Sequence, residues 1–432
     1  MTRTALALLT GGLLAAPVLG ATPDPKDLVV PASELSKARD LVRKLGSELY
    51  REREEAFLEL GKMGRLARPV LLDAAATDAD PEVRFRTARL LPKAGADELA
   101  ARLATFLADT DGKFDHDLPG LKQFRTLVGR DDKARALFVE VVKSPYNLEM
   151  LQAVDRGPTE GGRAISDRRN LLWNKMQHRN FNGRVSPPEQ ATLPDLACLF
   201  FAEAVVPSKE IPRGMFNHVT GAMFLQQPAS MSALTNGSAA HSEAYKRIVG
   251  QWLESRDDPN DLNQLPHVVG PQGPLRNFPQ SLPLLRRIVT TEGVYGYAKG
   301  QALMFLTQQR GKEEVPFLTT LLNNDTLVTS VWFGNVGGKI NQNVQHQCLL
   351  RDVALAMLVT QTGQKMRDYG FLFPQGQGEP NAQSIGYGNY AFPTDEARAA
   401  GMVKFGFWKL KQSLKEPAPA PAKDAPVPAP GK

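Results

Sequence analysis

The chain has 432 residues, 42% of them hydrophobic and 23% charged, with a formal net charge of +6. Those proportions exclude a disordered chain and leave ample length for a large core. The positive charge is mild and spread out. Arg84, Arg86, Arg89, Arg286 and Arg287 read as solvated faces of amphipathic helices, and with no Lys/Arg stripe interleaved with aromatics, no nucleic-acid partner is expected.

A targeting segment opens the chain. Thr2-Arg3-Thr4 gives a short positive start, an apolar run comes next, and small residues close it at Gly20-Ala21, so residues 1–21 read as a cleaved secretory signal. No cysteine stands there for a lipid anchor, and a lone Arg3 does not make a twin-arginine signal. No later stretch reaches the roughly eighteen apolar residues of a membrane span. The expectation is an exported protein, periplasmic or secreted.

Helical patterning dominates the rest of the chain. Ser33 is expected to cap a helix over 33–45, and 50–62 carries Phe57, Leu58 and Leu60 before Gly61 and Gly64. A third helix over 66–76 has Pro69 near its start, where a missing N–H costs least. Asp80-Pro81-Glu82 then supplies a cap, a first-turn proline and a first-turn acid. Gly95 predicts a break, with a further helix through Leu107. Other helices are expected over 131–143, 148–154, 166–177, 188–205, 214–226 and 242–254. Strand signals are nearly absent. The Pro/Asn/Gln-rich stretch 257–283 precludes a long helix and is the best internal boundary. Helices resume over 284–291, 297–308 and 312–323, and a terminal helix over 394–414 is expected to bury Phe405, Phe407 and Trp408. The Ala/Pro tail cannot form a core. Composition thus divides the chain into a signal (1–21), a helical array (22–256), a connection (257–283), further helices with loop insertions (284–415) and a disordered tail (416–432).

One pattern recurs. Pro69 precedes Asp78 by nine residues, and Val83-Arg84 opens the next helix; Pro316 precedes Asp325 by the same nine, and after an insertion Leu350-Arg351 opens another. These residues resemble the HEAT-repeat family, particularly the divergent HEAT-like repeats of exported bacterial proteins. The resemblance implies an all-α fold, an α-solenoid of paired helices, here with long irregular loops toward the C-terminus. It also implies a role in binding other proteins, with Asp78, Arg84, Asp325 and Arg351 as a structural ladder between stacked units. An Asp in a tight turn and an Arg in the next first turn can satisfy exposed backbone groups and one another.

Motifs for chemistry are weak. Asp109, Asp111, Asp115 and Asp117 form an oxygen-rich loop, but Lys113 stands at the third ligand position of an EF-hand and Gly112 comes two residues early, so it reads as a solvated turn. The histidines (His116, His178, His218, His241, His267 and His346) form no zinc spacing. No nucleophile elbow, P-loop or dinucleotide fingerprint is present; Gly157–Gly162 lacks the strand such a loop needs. Cys198 and Cys348 read as small buried hydrophobes, and Asn236-Gly237-Ser238 as an incidental turn. No catalytic residue, metal or cofactor is expected. Two long loops, 326–346 and 373–392, combine aromatic, glycine and amide residues as binding surfaces do, with Trp332, Phe333, Asn335, Asn341, Asn343, Tyr387 and Tyr390 as candidates. Capping the end of the array is the other use open to them. The functional expectation is a non-catalytic protein–protein interaction scaffold in the bacterial cell envelope. The alternatives are an exported enzyme with a site near 326–346 and an envelope surface-binding module.

Overall fold

The computed structural model describes residues 24–176, 190–212, 219–333, 344–372 and 390–413. The expected signal segment and the Ala/Pro tail lie outside the described residues. Among those residues the protein is helical apart from one two-stranded hairpin, and no helix is long and apolar enough to cross a membrane. They form two compact units, one ending at Leu148 and the other beginning at Glu149.

In the first unit α1 (Ala32–Leu45) packs on α2 (Tyr50–Met63), and α3 (Arg68–Thr77) on α4 (Pro81–Ala108). The two helical hairpins share one core, in which Val42 and Leu45 meet Leu60, Leu71, Val83 and Leu90. Helix α1 begins at Ala32 and is preceded by Pro31, so Ser33 lies inside the helix and caps nothing. Gly64 ends α2 at φ +54°, and a Cβ there would lie 2.3 Å from an Asp97 carboxylate oxygen. Only glycine suits both demands.

The turn from α3 to α4 is closed by three contacts. Asp78 Oδ1 accepts the Asp80 amide at 2.9 Å, Asp80 Oδ1 accepts the Glu82 amide at 2.9 Å, and Arg84 Nη1 donates to the Asp78 carbonyl at 2.6 Å. The expected break at Gly95 does not occur. Helix α4 runs unbroken for 28 residues through Pro92 and Gly95. Buried Leu90 and Ala94 on one side, and Leu103 and Phe106 on the other, tie both halves into the core. That packing overrides the local penalty of a proline and a glycine.

Beyond α4 come α5 (Leu121–Leu127) and α6 (Asp132–Val142). The acidic loop between α4 and α5 is organised by one carboxylate. Buried Asp109 accepts the Lys113 amide at 2.9 Å and the Phe114 amide at 3.0 Å, and its Oδ2 lies 2.9 Å from His116 Nε2. Arg135 of α6 donates to the Asp109 and Phe106 carbonyls. The other acids turn to separate cations: Asp111 to Lys113, Asp117 to Arg102 and Asp115 toward Arg125. Among the described residues no group of three His, Cys, Asp or Glu side chains could hold a metal ion.

Helix α7 (Pro145–Arg156) contains the division between the units. The second unit continues with α8 (Pro158–Met176) and α9 (Leu193–Val205), the short α10 (Gly221–Phe224) and α11 (Pro228–Thr235), and α12 (Ser242–Ser255). Thr192 and Asp195 exchange hydrogen bonds in a capping box at the start of α9. That helix is buried on all faces over Leu196 to Glu203 and packs on α12. The Pro-rich connection holds α13 (Pro259–Gln264) and α14 (Pro266–Val269), each with a proline in its first turn. Next come α15 (Ser281–Thr290), α16 (Gly296–Arg310) and α17 (Val315–Thr320).

Both ends of the expected loop over 326–346 are strands, and residues 334–343 between them lie outside the described residues. Strand β1 (Leu327–Phe333) pairs antiparallel with β2 (Val344–Leu349), from Leu327 opposite Leu349 to Phe333 opposite Val344, with a bulge between Leu327 and Thr329. Val328, Thr329 and Val331 supply the β-branched content, and Val328, His346 and Cys348 are buried. Strand β2 leads directly into α18 (Leu350–Gln361), and α19 (Asp395–Ser413) ends the unit. Of the three aromatics expected to be buried by α19, Phe405 is buried and stacks on the half-buried Trp408, whereas Phe407 is 70% exposed. Two residues turn a helix by about 200°, so Phe405 and Phe407 face opposite ways. Cys198 and Cys348 are both free and buried, and burial pushes each thiol up.

Asp109 yields a pH-dependent prediction. Burial alone would raise its pKa, but the Phe114 amide, His116 and the Lys113 amide outweigh that and hold it below the ordinary value. A carboxyl lowered in the folded state contributes stability at neutral pH that is lost as pH falls through about 4 and below. Asp109→Ala is therefore expected to cost about 1–3 kcal/mol in urea unfolding at pH 7. The gap from wild type should narrow at pH 3.

Candidate functional site

Trp332 and Phe333 lie on β1, and Asn335, Asn341, Asn343 and Tyr387 fall outside the described residues. Tyr390 is 1% exposed, and burial together with the nearby Cys348 thiol pushes its phenol up to about 12. Each Asp/Arg couple closes its own turn. Arg84 donates to the Asp78 carbonyl, and Arg351 pairs with the Asp325 carboxylate at 2.6 Å.

The centre of the second unit is a buried charge cluster that sequence reasoning missed. Glu203 on α9 is 0% exposed, as is Arg256 at the end of α12. Glu203 Oε1 accepts Arg169 Nε of α8 at 2.7 Å, and Oε2 accepts the Trp252 indole N–H at 2.6 Å. Arg256 Nη1 lies 3.6 Å from Glu203 Oε2 and donates to Asp261 Oδ2 at 3.0 Å, while Nη2 donates to the Glu203 carbonyl. Two arginines thus face two carboxylates. Burial alone would raise the Glu203 carboxyl, but Arg169 and Arg256 outweigh it and hold it ionised. At Gly221 a Cβ would lie 2.3 Å from Glu203 Oε2, so α10 can approach only without a side chain. Glu203, Arg256 and Asp261 are closed to solvent, and Arg169 reaches them from a half-buried position. The chemistry of the cluster is that of a pin joining α8, α9, α12 and α13.

The open site lies at the C-terminal end of α16, a cleft of about 760 Å³. It is lined by His267, Gln272, Phe305, Gln308, Gln309 and Gln361, with Gly270, Pro271, Thr307 and Gly311 completing the wall. Phe305 lies directly on Gly270, where a Cβ would come within 2.5 Å of the ring. Gln309 Nε2 donates to the Val269 carbonyl at 3.4 Å, and Gln301 Nε2 faces His267 Nδ1 at 3.3 Å. Gly311, at φ +58°, turns the chain out of α16 beside Gln361. The lining is therefore neutral amides around one aromatic face, with His267 its one titratable side chain. Each glutamine amide offers donors and an acceptor together, which is what a peptide group requires of a partner. At the other end of α16, Tyr295 and Tyr297 are exposed, as is Leu327 of β1. Gly296 between the tyrosines lies under the Leu327 carbonyl, 1.9 Å from where a Cβ would stand, and seats the hairpin against the helix. No single stretch of sequence carries this cleft, because α14, α16 and α18 contribute from separate segments.

No protein-family model matches the chain, and neither does any curated protein or solved structure.

Removing one member of the cluster leaves buried charge uncompensated. Glu203→Gln is expected to cost about 3–5 kcal/mol of stability, measured as a lower urea midpoint with little change in slope. A change below about 0.5 kcal/mol, the size of an ordinary surface substitution, would show that the carboxylate does not pin these helices.

Proposed function

We propose that the protein is an exported, non-catalytic interaction scaffold built from HEAT-like helix pairs, an α-solenoid in arrangement, which holds a segment of a partner protein. The observation that carries this reading is the lining of the cleft at the end of α16: four glutamines, a histidine and a phenylalanine, with no carboxylate, lysine or arginine among its described lining residues. General acid–base or nucleophilic chemistry calls for titratable groups converging on one space. Glu203, whose carboxyl is held below its ordinary value, is instead buried among its arginines. Neutral amides suit an extended polypeptide segment, whose peptide groups they can match in both directions. The cleft volume falls within the range of ordinary ligand sites. Exposed Tyr295 and Tyr297 add rigid amphipathic faces of the kind interfaces use. The HEAT-like reading is supported by the paired packing of α1 with α2 and α3 with α4, and by the Pro69/Asp78/Arg84 and Pro316/Asp325/Arg351 patterns. The cell envelope is the proposed compartment, on the strength of the 1–21 signal pattern.

Immobilised protein lacking residues 1–21 is expected to recover a partner from an envelope extract. Recovery should be nearly constant between 50 and 500 mM salt, because screening acts on charges and not on amides. Gln272→Ala combined with Gln361→Ala should weaken recovery on the order of tenfold, at about 0.5–1.5 kcal/mol per hydrogen bond lost. Recovery unchanged by the double substitution would show that the cleft is not the binding site, and loss at high salt would transfer recognition to a charged surface.

A further inference from the structure

The outward face of α19 carries a pattern that neither the cleft nor the buried clusters use. Its inner face is fixed: Phe405 is buried, Arg398 donates to Asp352, and Gly401 sits so close to the Tyr369 carbonyl that a Cβ would lie 2.6 Å away. The opposite face presents Glu396, Ala400, Val403, Phe407 and Leu410, all exposed. Their spacing alternates four, three, four and three residues, the heptad seam of a coiled coil. Val403, Phe407 and Leu410 are 58%, 70% and 58% exposed. Lys404 leaves the seam, donating to the Asp368 carbonyl, and Gly406 has nothing within 4 Å of where its Cβ would stand. The face is accessible along its length.

Charge decides which occupant fits. The helix starts with Asp395 and Glu396 and ends with Lys409 and Lys411, so it is acidic at one end and basic at the other. We propose that α19 is a self-association surface, pairing antiparallel with α19 of a second copy of this chain along the Glu396–Ala400–Val403–Phe407–Leu410 seam. In that orientation Glu396 meets Lys411 of the second copy, and the contact occurs twice by symmetry. A parallel pairing would set acid against acid and Phe407 against Phe407. One helix from each copy makes a small interface, so the dimer is weak and concentration-dependent.

Sedimentation equilibrium of the full-length chain from about 1 to 100 μM is the test, with the micromolar range set by the small interface. Wild type is expected to move from monomer toward twice the monomer mass. Glu396→Lys and Lys411→Glu should each weaken dimerisation about three- to tenfold, and the two substitutions together should restore it. Phe407→Asp should leave a monomer whose circular dichroism and thermal midpoint stay close to wild type, since Phe407 is 70% exposed. A wild-type monomer at the highest concentration would overturn the proposal, as would a double charge exchange weaker than either single one. A monomer that floats with phosphatidylglycerol vesicles, and stops doing so as Phe407→Asp, would overturn it in favour of a lipid surface.

Discussion

A carboxylate removed wholly from water keeps its charge only if the protein supplies the partners that water would have supplied. Glu203 is such a group, and its requirements fix much of the second unit. Arg169 must come from α8, the Trp252 indole and Arg256 from α12, and Asp261 from α13 to accept the second guanidinium's N–H. Helix α10 must carry a glycine where it passes. Arginine meets a buried carboxylate in two further places. Glu314, 0% exposed, is held by both Nη2 and Nε of Arg286 from α15. Asp352, also 0% exposed, accepts the Leu349 amide at 2.8 Å and Arg398 Nε at 2.9 Å, which ties β2, α18 and α19 together. Arginine suits this role because its planar fork bonds several oxygens in fixed directions and does not lose its proton.

This inward use of charge separates framework from recognition. The buried carboxylates and arginines of the second unit face one another, and the described lining of the cleft at the end of α16 is left mainly to amides, one histidine and one ring. A binding surface of that composition discriminates by hydrogen-bond pattern and shape more than by charge. It is rigidly supported. Helix α16 is buried over most of its length, from Ala298 to Thr307, and packs against α15, α18 and β1. A site built on such a helix keeps its geometry better than one carried by a loop.

The local chemistry of the sequence reported the helices well and the long-range organisation poorly. Asp80-Pro81-Glu82, Asp131 and the Thr192/Asp195 pair mark their helix starts by capping, a signal contained within a few residues. Pro92 and Gly95 carry an equally local signal for a break, and packing on α3 overrides it. The β1–β2 hairpin escaped because the residues joining its strands are too many for a two-residue turn signature, although Val328, Thr329 and Val331 carry β-branched content. The buried cluster was illegible for a different reason. Arg169 and Glu203 are 34 residues apart and Glu203 and Trp252 are 49 apart, so no periodicity links them. The glutamines of the cleft are scattered in the same way, and an isolated glutamine carries no pattern until α14, α16 and α18 assemble.

Glu203 and Arg256 act together in joining α9, α12 and α13, with Arg169 bringing in α8. A double-mutant cycle over Glu203→Gln and Arg256→Met, read by urea unfolding, measures that coupling directly. The structure predicts a double variant far less destabilised than the sum of the singles, with a coupling energy above about 1.5 kcal/mol. Losses that add to within about 0.5 kcal/mol, as those of independent sites do, would contradict it.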